Sequence, residues 1–302
     1  MMDAKPFLFT LLILLMACSP APAVTRLPGA TPASAPPASP AASPLPAATL
    51  PPTGCQQTHG QLDSGVIETS LLDKPMRYQV YLPPCYADSA ESYPALYLLH
   101  GQGFDENQWL RLGLAEQMDA LLAAGEIPPF VVILPFDYSY KQPAQYHFEQ
   151  VFIEILMPRL QSEYRLRPGR ESSAIGGLSR GGAWAFYLGS RHPDLFAFIG
   201  AHSPALFSSD MGAFPLRLRD LPEGQKPSFY IDAGNNDPDL ALIQQIIALI
   251  DAQGLEYEWH PNLGFHDEKY WRAHLPEYLR WYGANFRQKN SATGWLRYKS
   301  KT

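Results

Sequence analysis

The sequence is poor in charged residues, which make up only 17% of its 302 positions, and 29 acidic residues outnumber 23 basic ones. The formal net charge of -6 provides no basic surface of the kind that binds a phosphate backbone, so nucleic acid is excluded as a principal partner. Internal sequence repeats are also absent. A chain of this length with 46% hydrophobic residues can form one large domain or two small ones.

Cysteine is scarce, with three residues in the whole chain. Cys55 and Cys85 are too far apart for a CxxC metal motif and no histidine cluster accompanies them, which argues against a zinc site. If Cys18 carries a lipid, Cys55 and Cys85 are left as a pair in an exported, oxidising compartment. We therefore expect a disulfide between the start of the folded region and the loop after an early strand, with two free thiols as the alternative.

The N-terminal apolar run over residues 7–16 is too short to span a bilayer and has the length of a signal-peptide core. The sequence LMAC follows at its end, and it resembles a bacterial lipobox. We expect residues 1–17 to be a lipoprotein signal peptide and Cys18 to be the lipidated first residue of the mature protein. Such a lipid anchors a protein to a membrane surface outside the cytoplasm. An ordinary cleaved signal peptide is the alternative.

Residues 18–54 consist mostly of Pro, Ala, Ser and Thr, and Arg26 is their one charged residue. A segment of this composition cannot bury a core, so we expect an extended, disordered tether that is partly polyproline II. At about 3.1 Å per residue its reach is on the order of 100 Å. The composition then becomes globular, which predicts a folded domain over residues 55–288 and a polar tail over residues 289–302.

Strand and helix patterns alternate through the globular region. Continuous apolar runs typical of buried strands occur at residues 94–101 and 130–135, and helical apolar spacing occurs at residues 112–124, at residues 150–164 despite Pro158, and at residues 239–252. This alternation predicts an α/β fold with a mostly parallel central sheet that helices cover on both faces.

Ser179 lies between two glycine pairs in the segment AIGGLSRGGAW, after a short strand pattern and before a helix pattern. Gly177-x-Ser179-x-Gly181 matches the nucleophile elbow, a sharp strand-to-helix turn that projects a hydroxyl above the sheet. Glycines suit this turn because it is strained and the neighbouring backbones approach closely. The helix N-terminus favours developing negative charge. Ser179 is therefore the candidate nucleophile.

The elbow requires an acid and then a histidine, in that order along the chain. The segment SFYIDAGNNDPDL ends a strand pattern and offers Asp232, Asp237 and Asp239. His266 follows in the segment HPNLGFHDEKYW, in a glycine-containing loop between the last strand pattern and the final helix pattern. His266 is therefore the candidate general base.

Two backbone N–H groups must also stabilise the oxyanion of an acyl-transfer reaction. One is expected from Arg180, the residue after the nucleophile. The other is expected from the loop HGQGFDENQW, where we favour Gln102 and keep Gly101 as the neighbouring alternative. This chemistry needs no metal and no organic cofactor.

Four separated segments occur in the order YPALYLLHGQGFDENQW, AIGGLSRGGAWAF, DAGNND and GFHDEKYW. Together they resemble an esterase family of the α/β-hydrolase fold, over roughly residues 77–286. That family includes feruloyl and acetyl-xylan esterases, S-formylglutathione hydrolases, siderophore-ester hydrolases and mycolyltransferases. The resemblance implies Ser179 as nucleophile and His266 as base. It favours Asp237 as the acid, because the family's acid lies in a Gly-x-x-Asp segment after a strand.

Aromatic side chains near these motifs are candidates for stacking on a sugar or a phenolic acyl group, namely Trp109, Tyr138, Trp184 and Trp271. Trp184 lies on a helix pattern and is equally compatible with the core. The expected partner is a small-molecule or carbohydrate-linked ester, and no pattern indicates an oligomeric state. An acyltransferase with the same triad and a non-catalytic surface binding protein are the alternatives.

Overall fold

The computed structural model describes residues 54–288 of the chain. The predicted signal peptide, Cys18, the predicted tether up to residue 53 and the predicted tail from residue 289 lie outside the described residues. Within residues 54–288, no helix combines the length and the apolar character that crossing a bilayer requires.

Strands and helices alternate along the described chain. The strands are β1 (Gln61–Ile67), β2 (Met76–Leu82), β3 (Ala95–Leu99), β4 (Val131–Pro135), β5 (Ser173–Leu178), β6 (Phe198–His202), β7 (Ser228–Gly234) and β8 (Tyr257–Asn262). The helices are α1 (Gln108–Arg111), α2 (Leu114–Ala123), α3 (Phe148–Val151), α4 (Met157–Glu163), α5 (Arg180–Arg191), α6 (Phe214–Arg219), α7 (Leu240–Ala252) and α8 (Glu268–Gln288).

The eight strands form one sheet in the order β1-β2-β4-β3-β5-β6-β7-β8. Strands β4, β3, β5, β6, β7 and β8 pair in parallel, whereas β1 pairs with β2 and β2 with β4 in antiparallel fashion. Strands β3, β4 and β6 are buried along their whole length, as apolar runs in the middle of a doubly covered parallel sheet should be. The predicted α/β class and mostly parallel sheet are confirmed.

The sheet separates two hydrophobic cores. Tyr97 and Leu99 of β3 belong to the core beneath α3 to α7, and Leu96 and Leu98 belong to the core beneath α1, α2 and α8. Successive side chains of a strand point to opposite faces of the sheet. A continuous run of apolar residues therefore contributes side chains to both cores. The two packed layers hold the carboxyl ends of the parallel strands at one edge of the sheet, where open α/β sheets bind their ligands.

The structure contains three elements that the sequence patterns did not indicate, β1, α1 and α6, and it divides one that they did indicate. Strand β1 was not predicted, because its side chains are mostly exposed and carry no apolar alternation. The predicted helix over residues 150–164 is helical but divided, with a π-helical turn at Phe152–Leu156 between α3 and α4. Pro158 lies at the start of α4 and has no N–H to donate, which is consistent with a wider turn before it.

The predicted disulfide is confirmed, because Cys55 and Cys85 are bonded across 30 residues of sequence. The Cys85 amide also donates a hydrogen bond of 2.9 Å to the Gln57 side chain. The start of the described chain is therefore fastened to the loop after β2.

We predict that replacing both Cys55 and Cys85 by alanine lowers the free energy of unfolding by about 2 to 4 kcal/mol, because the unfolded chain gains the entropy of an open loop. Urea denaturation of the full chain measures this change. Wild-type protein unfolded with a reductant serves as the control and should match the variant. An unchanged urea midpoint would contradict the prediction.

Candidate active site

Ser179 occupies the sharp turn between β5 and α5 in a strained backbone conformation, with φ 53° and ψ -118°. The turn is tight because glycines flank it. A Cβ atom on Gly177 would lie 2.4 Å from the Gly181 carbonyl carbon, and one on Gly181 would lie 2.2 Å from the Leu99 carbonyl oxygen. Only glycine fits at either position without moving the backbone, so the local sequence dictates the turn.

The structure brings the three predicted triad residues into one hydrogen-bonded line. His266 Nε2 lies 2.9 Å from Ser179 Oγ, and His266 Nδ1 lies 3.0 Å from Asp237 Oδ2. The Asp237 side chain is fully buried, whereas the His266 side chain is 21% exposed. The hydroxyl is therefore within reach of a base that a buried carboxylate orients.

The Asp237 carboxyl has hydrogen-bond donors on both oxygens. Burial by itself raises its pKa, but hydrogen bonds from His266 and from the Asp239 amide outweigh burial and bring the pKa below its ordinary value. The Asp239 amide donates its hydrogen bond to Asp237 Oδ1 at 2.9 Å. The carboxylate is therefore ionised at neutral pH and can stabilise a positive charge on the imidazole.

Asp232, the other acid considered from sequence, has a different partner. It is fully buried and its Oδ1 lies 2.7 Å from Nδ1 of His202, not from His266. Its second oxygen accepts hydrogen bonds of 2.7 Å from the hydroxyls of Tyr270 and Tyr278. Asp239 reaches Asp237 through its backbone amide. The geometry thus assigns the contact with His266 to Asp237.

The two predicted oxyanion donors lie in different segments: Gln102 in the loop after β3, and Arg180 at the start of α5, directly after Ser179. The Gly101 amide donates a hydrogen bond of 2.8 Å to Gln108 Oε1, so it is already engaged, and the Gln102 amide stays the predicted donor of this loop. The Arg180 amide belongs to the first turn of α5, where helix geometry leaves N–H groups without intrahelical acceptors. The Gly101 alternative is therefore not favoured by the structure.

The aromatic residues predicted to contact substrate separate into two groups. Trp109 and Trp184 are 1% and 0% exposed and pack in the two cores, which corrects their expected role. For Trp184 the core alternative is the correct one, and Trp109 was misplaced because a short motif does not reveal which face of a helix turns toward the sheet. Tyr138 is 36% exposed after β4. Trp271 is 3% exposed and also belongs to a core, so its expected contact with substrate is corrected as well; its ring packs edge-on against the His266 ring, with 5.1 Å between ring centroids.

Three further exposed aromatic residues were not named from the sequence: Phe104, Tyr140 and Phe265, which directly precedes His266. Phe104 lies in the same loop as Gln102, two residues further along the chain. The Tyr140 hydroxyl lies beside the same loop, 3.4 Å from where a Cβ on Gly103 would stand. The aromatic run FDYSY after β4 was the signal for this surface, and alternation within it would have pointed to Tyr140 as well as Tyr138.

Asp237, Asp239 and His266 place potential metal-ligand atoms within 4.8 Å of one another. Both ring nitrogens of His266 are, however, engaged by Ser179 and Asp237. A metal ion on His266 would have to replace one of these hydrogen bonds, so the cluster fits a proton-transfer line better than a metal centre.

The sheet order, the strained serine after β5 and the acid and histidine after β7 and β8 define an α/β-hydrolase. A family model described as "Putative esterase" matches residues 69–282. The match covers more than half of the chain, and the chain belongs to this esterase family.

Known relatives carry esterase names. An endo-1,4-beta-xylanase/feruloyl esterase of Xylanibacter ruminicola is 28% identical over 231 residues, or 72% of this chain and 30% of that protein. This chain therefore spans less than a third of that relative's length. Two solved structures share the fold. A ferulic acid esterase superposes with a TM-score of 0.68 at 23% identity, covering 76% of this chain and 99% of that one. An S-formylglutathione hydrolase of Staphylococcus aureus superposes with a TM-score of 0.60 at 18% identity, covering 74% and 99%.

We predict that Gly181→Ala destabilises the protein by more than about 2 kcal/mol, since the new methyl group would overlap a backbone carbonyl that cannot move aside. Esterase activity should fall with it, because any relief of the overlap displaces Ser179. Gly224→Ala is the matched control, since a Cβ there meets nothing within 4 Å. Thermal unfolding and ester hydrolysis measure both variants. Equal stability of the two variants would contradict the steric account of the elbow.

Proposed function

We propose that this protein is a serine carboxylic-ester hydrolase that acts through Ser179, His266 and Asp237. The observation that carries the proposal is the unbroken hydrogen-bonded line from Asp237 through His266 to Ser179 on a strained elbow. A non-catalytic binding protein would have no need to hold a serine in such a conformation, since strain of this kind persists where function requires it.

In the proposed acylation step, His266 Nε2 accepts the hydroxyl proton as Ser179 Oγ attacks the ester carbonyl carbon. The amides of Gln102 and Arg180 donate hydrogen bonds to the resulting oxyanion. His266 then donates its proton to the departing alkoxide, and the acyl group remains on Ser179. Asp237 keeps the imidazole in the correct tautomer and balances its transient positive charge.

In the proposed deacylation step, His266 removes a proton from water, and the hydroxide attacks the acyl carbon. Collapse of the second tetrahedral intermediate breaks the bond to Ser179 Oγ, which takes the proton back from His266. The exposed part of His266 gives water access to the acyl-enzyme. The products are a carboxylic acid and an alcohol.

The substrate class proposed is an ester of an aromatic acid, of the feruloyl type, with a carbohydrate alcohol. The names of the xylanase/feruloyl esterase relative and of the ferulic acid esterase structure support this choice. The exposed rings of Phe104, Tyr138 and Tyr140 also support it, because flat apolar surfaces suit phenolic rings and sugar faces.

We further propose that the mature protein is exported and held at a membrane by a lipid on Cys18. The lipobox-like sequence LMAC and the Pro/Ala-rich segment after it support this location. The disulfide between Cys55 and Cys85 also supports it, because disulfides persist in oxidising compartments.

The test is hydrolysis of methyl ferulate and p-nitrophenyl acetate by the wild type, with Ser179→Ala as the inactive reference. We expect Asp237→Asn to lower kcat by about 10³- to 10⁴-fold, because the imidazole then adopts the wrong tautomer and loses its counter-charge. Asp239→Asn is the matched control. Its kcat should stay within a few-fold of the wild-type value, because the backbone amide of residue 239 still donates to Asp237.

Ester hydrolysis by Ser179→Ala at the wild-type rate would contradict the assignment of Ser179 as the nucleophile. A greater loss in Asp239→Asn than in Asp237→Asn would move the acid role to Asp239. Formation of a new ester with a supplied alcohol, in place of free acid, would favour the acyltransferase alternative.

A further inference from the structure

A buried chain of hydrogen bonds joins the two loops that supply the oxyanion amides. It begins at His100, the first residue of the loop that carries Gln102, passes through Asp137 after β4, and ends at Arg180 beside the nucleophile. His100, Asp137 and Arg180 are 3%, 6% and 6% exposed. None of these three side chains takes part in the proposed proton transfers.

The imidazole of His100 fixes the peptide unit between Gly101 and Gln102. Its Nε2 accepts a hydrogen bond of 2.9 Å from the Asp137 amide, so its Nδ1 carries the proton and donates to the Gly101 carbonyl at 2.7 Å. Burial lowers the pKa of His100, which favours this neutral form. In a planar trans peptide the C=O and N–H point in opposite directions, so holding the Gly101 oxygen aims the Gln102 N–H.

The carboxylate of Asp137 fixes Arg180, the residue that carries the second proposed oxyanion amide. Its Oδ2 accepts hydrogen bonds of 2.7 Å from Arg180 Nε and 2.6 Å from the Trp184 indole, and its Oδ1 accepts one of 3.1 Å from the Ser139 amide. The Arg180 guanidinium is held again by the Lys141 carbonyl at 2.8 Å. The side chain of Arg180, whose amide is the second proposed oxyanion donor, is thus held at two points.

We propose that Asp137 is a positioning residue for both oxyanion amides: its backbone amide fixes His100, which holds the Gln102 amide, and its carboxylate fixes Arg180. The inference rests on the proposed hydrolase function. Preorganised donors stabilise the tetrahedral transition state at no cost of reorganisation, and they contribute less to binding of the planar ester. Loosening them therefore lowers kcat more than it raises KM.

The ion pair between Asp137 and Arg180 is buried, and a second buried ion pair elsewhere in the fold provides a control. Asp137 and Arg180 form an ion pair whose side chains are 2% and 7% exposed, and removal of one partner leaves the other charge buried without compensation. Asp210 and Arg217 form a second largely buried pair, with side chains 5% and 16% exposed and two hydrogen bonds of 2.6 Å. Arg217 also contacts Ser190 near the far end of α5, so this second pair offers a matched control.

The experiment compares Asp137→Asn with Asp210→Asn in the full chain, by kcat and KM for p-nitrophenyl acetate and by inhibition with phenylboronic acid. Boron bonded to Ser179 Oγ is tetrahedral and places an oxygen where the oxyanion forms. We expect Asp137→Asn to lower kcat by about 10- to 100-fold, to leave KM within about twofold, and to raise the inhibition constant by about the factor lost in kcat. Asp210→Asn should lower the melting temperature similarly while leaving all three constants near wild type.

Two gentler variants serve if Asp137→Asn does not fold. Trp184→Phe removes one donor to Asp137 Oδ2 and should cause a smaller kcat loss in the same direction. Asp137→Glu keeps the charge and should recover part of the loss. A folded Asp137→Asn with wild-type kcat, or with reduced kcat but unchanged phenylboronic acid inhibition, would overturn the inference while leaving the esterase function intact. A wild type that neither hydrolyses esters nor binds the boronic acid would overturn both.

Discussion

The close approach of backbones at the β5–α5 turn is the constraint on which the site depends. Gly177 and Gly181 let the chain pass so near its neighbours that any Cβ would overlap backbone atoms, and Ser179 is forced into a left-handed conformation. The same contact brings the turn against the Leu99 carbonyl, at the end of the strand that leads into the oxyanion loop. Strain of this kind persists only where packing over-determines it, and here two packed helical layers do so.

Buried carboxylates organise the groups around this turn, and each has its own partner. Asp237 orients His266, and Asp137 holds Arg180. Asp232 lies deeper and binds a histidine and two tyrosine hydroxyls from neighbouring elements. A buried carboxylate is costly unless its oxygens are hydrogen-bonded, and each of the three has a hydrogen-bond partner on another element of the fold. The polar network therefore specifies how these elements meet at the site.

Local sequence patterns predicted the parallel sheet and the order of the triad, because apolar runs, flanking glycines and chain order are readable without tertiary contacts. They did not reveal β1, whose side chains are exposed, or the burial of Trp109, which depends on how a short helix meets the sheet. The choice between Gly101 and Gln102 required the side chain of Gln108, which reaches back over seven residues. The pairing of Asp137 with Arg180 joins positions 43 residues apart and has no local signature.

The most direct test of the account is to find the acyl group. Full-length protein mixed with excess methyl ferulate, quenched in acid within milliseconds and digested, should yield a peptide containing Ser179 that carries one feruloyl group, detected by mass spectrometry. The label should disappear as hydrolysis completes and should accumulate in Asp237→Asn if deacylation slows more than acylation. A feruloyl group on another residue, or turnover without any acylated peptide, would contradict covalent catalysis by Ser179.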